Sequence, residues 1–131
     1  METAVLLDAH VQLKRIYNLF TEILDLSRQL AEAVDRNDGV SMRLLISMRQ
    51  EPIEKLGIVR QSLEQQQASL SPEDSQHLAD LLKGAPAMDS TEKPLAEQVA
   101  SNSRLLQQVV ALDKTISLKL ARENSFYSQS R

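Results

Sequence analysis

Cysteine and tryptophan are absent from this 131-residue chain, and phenylalanine and tyrosine occur only twice each. Without cysteine there is no disulfide framework, no thiol chemistry and no thiolate metal site. With aromatics at 3% there is little to stack on bases or sugars. Positive charge is not in excess either: the formal net charge is −3, so the electrostatic footprint of a nucleic-acid binder is missing. No apolar run approaches the roughly 18 residues of a membrane span. The opening Met1-Glu2-Thr3-Ala4-Val5-Leu6-Leu7-Asp8 has neither the basic flank nor the long apolar core of a signal peptide. The expectation is a cytoplasmic protein with no cofactor. Glycine (three) and proline (four) are scarce, and most of them fall at breaks between periodic stretches.

What is present is helical periodicity. Leu6, Ala9, Leu13, Ile16, Phe20, Ile23, Ser27, Leu30 and Val34 alternate by three and four residues, the seam of one long helix. Leu19, Leu26 and Ala33 widen it on one side, Leu24 and Ala31 on the other, which suits a bundle better than a two-stranded coiled coil. This first helix is expected from Thr3 or Ala4 to Arg36, with Asn37-Asp38-Gly39 as the turn. A second is expected from Val40 to Gln67. Its stripe is Met42, Leu45 or Ile46, Ile53, Leu56 and Leu63, with Arg49, Arg60 and Gln67 at seam-like spacings and a kink or break at Pro52. Ser71-Pro72-Glu73-Asp74 announces a short third helix with Leu78, Leu81 and Leu82 inward, ended by Gly84. A fourth is expected from Ser90 or Thr91, on the stripe Leu95, Val99, Asn102, Leu106, Val109, Asp113, Ile116, Leu120. The reading is all-α: an antiparallel bundle of three long helices and one short, with a helical hairpin at its N-terminus. One domain spans 1–123, and a polar tail follows over 124–131.

Catalytic chemistry finds little footing. His10 and His77 sit on different helices with no spacing to share a metal, and there is no Gly-rich phosphate loop or Gly-x-Ser-x-Gly elbow. One enzyme reading stands as an alternative: small all-α mutases of the chorismate mutase type hold a dicarboxylate with cations inside a bundle, and Arg28, Arg49 and Lys55 are the candidates here. Against that, Arg49 can lay its stem on the core and reach a carboxylate such as Asp25 or Asp113. Ser27, Asn102 and Asp113 are polar at seam positions. Asn102 can set register or oligomer state, and Asp113 is expected to pair with Arg49 or another base.

The fourth helix carries more apolar residues than one narrow stripe holds: Leu105, Leu106, Val109, Val110, Leu112, Ile116, Leu118 and Leu120. Such a surplus suggests a dimer interface or a groove for another helix.

Leu24-Asp-Leu-Ser-Arg-Gln-Leu-Ala-Glu-Ala-Val-Asp-Arg-Asn-Asp, then Leu44-Leu-Ile-Ser-Met-Arg49 and Pro52-Ile-Glu-Lys-Leu56, resembles the small helical flagellar export chaperones of the FliT and FlgN type. Val110-Ala-Leu-Asp113-Lys-Thr-Ile116 and Asn102-Ser-Arg-Leu105-Leu106 are similar to short patterns in that family's later helix. The resemblance implies a chaperone of type III export that binds the amphipathic terminal helix of a hook-associated, cap or filament subunit and keeps it unassembled. The expected partner-binding residues are Leu105, Val109, Leu112, Ile116 and Leu120, with Phe126 and Tyr127 of the tail as a cover or latch. A structural helical dimerisation or adaptor protein is the alternative within the same class.

Overall fold

A computed structural model describes the backbone of residues 1–129 and the side chains of residues 1–122. Four helices make up the chain: α1 (Thr3–Asp35), α2 (Gly39–Ala68), α3 (Pro72–Leu82) and α4 (Lys93–Gln129). No described residue lies in a strand.

All nine seam residues of α1 are buried, joined by Leu24, Leu26 and Ala33. That breadth reflects its place: α1 packs against α2 along one flank and α4 along the other. At the far end of the α1–α2 hairpin, Gln66 Nε2 donates to the Val5 carbonyl at 2.9 Å, so the two helices are antiparallel. The level of Leu13 on α1 meets Asn102 on α4, and the level of Asp35 meets Lys119, so α1 and α4 run parallel. The bundle is up-down-up.

The turns obey local chemistry. After α1, the Asn37 amide bonds to Val34 O and the Asp38 amide to Ala33 O, with Asn37 in the left-handed region at φ 55°. Asp38 then caps α2, its carboxylate accepting from the amide and hydroxyl of Ser41. Gly84 (φ 106°) fills the same role after α3, and Ser71 caps that helix by accepting from the Asp74 amide.

Three expectations are corrected. α2 is continuous through Pro52, and the Pro52 ring is itself buried. Because the helical period carries on unbroken, the inward stripe runs Leu45, Pro52, Leu63, and Ile53 turns outward at 40% exposed. α4 begins at Lys93 rather than Ser90 or Thr91: Asp89 holds the Thr91 and Glu92 amides in a turn first. From there α4 runs to Gln129.

Candidate functional site

The stripe expected to dock a partner is in the core. Val109 and Ile116 are buried, and Leu105, Leu112 and Leu120 pack partly buried against the same clusters as Ile23, Leu24, Leu26 and Leu30 of α1. The physical reason is the parallel α1–α4 packing, which needs this stripe to cover the upper half of α1. The surplus that remains outside on α4 is Leu106, Val110 and Leu118. The side chains of Phe126 and Tyr127 lie outside the described residues.

The polar seam residues Ser27, Asn102 and Asp113 each have a partner within the chain, while the Nε of Arg49 is buried without one among the described residues. Arg49 Nη2 donates to Asp113 Oδ1 at 2.6 Å, the pairing expected from the spacing. Asn102 Nδ2 donates to the Leu13 carbonyl at 2.8 Å, and its Oδ1 accepts from Gln98 Nε2. Asn102 therefore fixes the level of α4 on α1 inside one chain. Ser27 Oγ donates to the Ile23 carbonyl of its own helix.

The three cations of the mutase-like alternative do not converge. Arg28 faces Asp25 and Lys55 faces Glu51, both at the solvent surface, while Arg49 belongs to Asp113.

The feature that α1, α2 and α4 build together is a groove. Among the described residues no Cα of α2 lies within 8 Å of a Cα of α4, so the two outer helices stand apart over α1. Higher up, Leu45 and Met42 of α2 meet Ile116, Leu112 and Leu120 of α4, and the Arg49–Asp113 ion pair closes the gap. At the bottom α3 wedges in, with Leu78 and Leu81 fully buried. Around the C-terminus of α3 and the linker that follows it lie two adjoining clefts of about 800 and about 550 Å³, which share the buried Leu13, Ile16 and Phe20 at their base and Leu82, Lys83 and Leu106 at their rim. Leu56, Arg60, Leu63, Glu64 and Gln67 form the α2 wall. Lys93, Glu97, Val99, Asn102, Ser103 and Arg104 form most of the α4 wall.

The wedge has its own lock. Glu92 is 5% exposed, its Oε2 lies 2.7 Å from His77 Nε2 on α3, and its Oε1 accepts from the Met88 amide at 3.0 Å. Burial pushes the Glu92 carboxyl up, but the bonds from His77 and Met88 outweigh it and hold it below the ordinary range.

Sequence reasoning placed Leu13, Ile16 and Phe20 as plain core and did not assign Glu92. The groove did leave one trace: Arg60 and Gln67 occupy seam-like positions of α2, where a helix packed against a full set of neighbours carries apolar residues. Comparison with protein families, curated proteins and solved structures finds no match for this chain.

Proposed function

We propose that this protein is a non-catalytic helix-binding chaperone. Its site is the groove between α2 and α4, not the buried stripe of α4. The observation that carries the reading is the pair of clefts beside the C-terminus of α3: the eleven-residue α3 fills the place between α2 and α4 only over its own length, and at its end the clefts of about 800 and about 550 Å³ open next to the exposed Leu106. An amphipathic segment laid there would bury its apolar face on Leu56, Leu82 and Leu106, which line the clefts and are not fully buried. The resemblance to flagellar export chaperones supplies the client class, the terminal helix of a hook-associated, cap or filament subunit, bound in the cytoplasm before export.

The test is calorimetric titration of the full chain with purified terminal segments of those subunits. Saturable binding of at least one segment is expected, weakened about tenfold or more by Leu106→Glu, which sets a charge among the apolar residues that line the clefts. Leu106 is 42% exposed, so the substitution is compatible with folding. Absence of binding by every segment overturns the client assignment, and indifference to Leu106→Glu overturns the site.

A second reading has its own observation. Val40, Leu44 and Met48 recur every four residues on an outer face of α2 and are 71%, 60% and 47% exposed. Such a strip favours a dimerisation or adaptor role. A mass in sedimentation that doubles with concentration, without any client, would carry it.

A further inference from the structure

α2 carries a second seam, outside the core. Leu44, Met48, Glu51, Lys55, Ile58 and Ser62 follow one another at intervals of four, three, four, three and four residues. At about 100° per residue they fall within an arc of about 80°. That arc lies about a quarter turn from the inward stripe of Leu45, Pro52 and Leu63, and farther still from Leu56, Arg60 and Gln67, which line the clefts. Its apolar members Leu44, Met48 and Ile58 are exposed, Ile58 at 63%, and Val40 extends the strip by one turn. Beside Ile58 the surface deepens into a cleft of about 360 Å³, with Leu19 of α1 and Val59 of α2 in its lining. Alternation by three and four is the period by which one helix packs lengthwise on another.

The charges say which helix. Glu51 and Lys55 sit in the middle of the seam, opposite in sign and one turn apart, with Lys55 Nζ 2.9 Å from Glu51 Oε1 at the solvent surface. A copy of the same seam laid antiparallel, with the two-fold axis at the level of Ile53, sets each Lys55 beside the Glu51 of the other copy. The four charges then close into a ring of alternating sign, and Met48 meets Ile58 on both sides of it. Laid parallel and in register, the copies would set Glu51 on Glu51 and Lys55 on Lys55, which is repulsive. The seam is complementary to itself in one direction only.

We infer that two copies of this chain associate through the outer seam of α2, antiparallel and two-fold symmetric, with Glu51 and Lys55 at the centre and Leu44, Met48 and Ile58 on each side. This rests on the dimerisation reading above and supplies its geometry. The clefts beside α3 take their α2 residues from another face of the helix, so pairing leaves them open. From Leu44 to Ser62 the seam is about 27 Å long, which places the contact at the small end of specific interfaces and its affinity in the micromolar range.

Sedimentation velocity of the full chain from about 1 to about 300 μM reads the association. The mass should rise to twice that of the monomer within this range. Leu44→Glu, at an exposed position, should weaken association about tenfold or more. Glu51→Lys, which gathers like charges at the centre, should weaken it about three- to tenfold, and the swap Glu51→Lys/Lys55→Glu, which rebuilds the ring with its signs exchanged, should recover it. Direction is read by disulfide trapping, since the chain has no cysteine of its own. When Met48→Cys and Ile58→Cys variants are mixed in equal amounts and oxidised, the mixed disulfide should dominate over either homodisulfide. Homodisulfides in excess, or a swap variant no better than Glu51→Lys, overturn the antiparallel geometry while leaving dimerisation standing. A dimer indifferent to Leu44→Glu overturns the seam as its interface. A chain that stays monomeric at about 300 μM overturns both the inference and the dimerisation reading, and gives the face to a different protein.

Discussion

Single residues here decide how the pieces are levelled and locked. Asn102 is a buried amide that spends its donor on a carbonyl of α1 and its acceptor on Gln98, so it costs little to bury and sets one depth for α4. Glu92 does the same for α3 with a charge. Its carboxyl is held below its ordinary value of 4.5, so the stability tied to its ionised form is fully present above about that pH and is lost as the pH falls through the lower folded value. Glu92→Gln should cost about 1–2 kcal/mol at neutral pH, since one acceptor oxygen becomes a donor facing the Met88 amide or the His77 ring. It should also flatten the fall in melting temperature between about pH 5 and pH 3. Asp38 and Asp89 are likewise held low, chiefly by hydrogen bonds from Ser41 and Thr91, so part of the acid dependence remains in the variant. Identical acid slopes for the two proteins would remove Glu92 from this role.

Among the elements, α1 and α2 differ in how much of their packing is written in their own pattern. α1 touches both long neighbours, its stripe is continuous, and every seam residue read from the sequence is buried. α2 buries only Leu45, Pro52 and Leu63 outright, because one of its flanks faces the groove and another faces solvent. Its inward face was misread at Ile53 for a definite reason. A proline inside a helix usually disturbs its phase, whereas here the ring sits in the core and the phase is kept. Gly57 and Gly84 make a contrasting pair. Gly57 is exposed in the middle of α2, and a Cβ there would meet nothing within 4 Å. Gly57→Ala should raise stability by about 0.5–1 kcal/mol, through helix propensity and a less free unfolded chain. Gly84 also has open space around it, but φ is 106°. Gly84→Ala should lower stability by about 1–2 kcal/mol from backbone strain alone. Urea denaturation of both variants checks the pair, and a shift of the same sign in each would contradict the assigned backbone of the α3 terminus.

At the scale of the molecule, the bundle is a hinge-shaped frame: α1 is the spine, α2 and α4 lean on it, and what joins α2 to α4 directly is side chains. The Arg49–Asp113 pair is one such join. Arg49 is 15% exposed at its side chain, and Asp113 is 45% exposed, which limits the strength of the bond through solvent screening. A double-mutant cycle on Arg49→Met and Asp113→Asn should give a coupling of about 0.5–1 kcal/mol by chemical denaturation. Coupling near zero would mean that the upper end of the groove is closed by Leu45, Met42, Leu112, Ile116 and Leu120 without help from the charges.

The fold class, the four helices, the turn at Asn37 to Gly39, the Ser71 cap and the Arg49–Asp113 pairing were all legible in the amino-acid sequence. Each rests on local periodicity, on capping chemistry, or on a polar residue falling where a seam should be apolar, and such signals lie within a few residues of one another. The site was not legible in the same way. Leu105, Val109, Leu112, Ile116 and Leu120 look like a spare apolar face as long as the orientation of α4 is unknown; once α4 runs parallel to α1, they are core. Leu13, Ile16 and Phe20 look like core and are core, although α2 and α4 do not meet over them, because α3 closes the space between with Leu78 and Leu81. The sequence by itself determined which faces of each helix are apolar. Only the tertiary structure decided which of those faces meet, since that depends on the separation and direction of helices distant along the chain, and no local period encodes either.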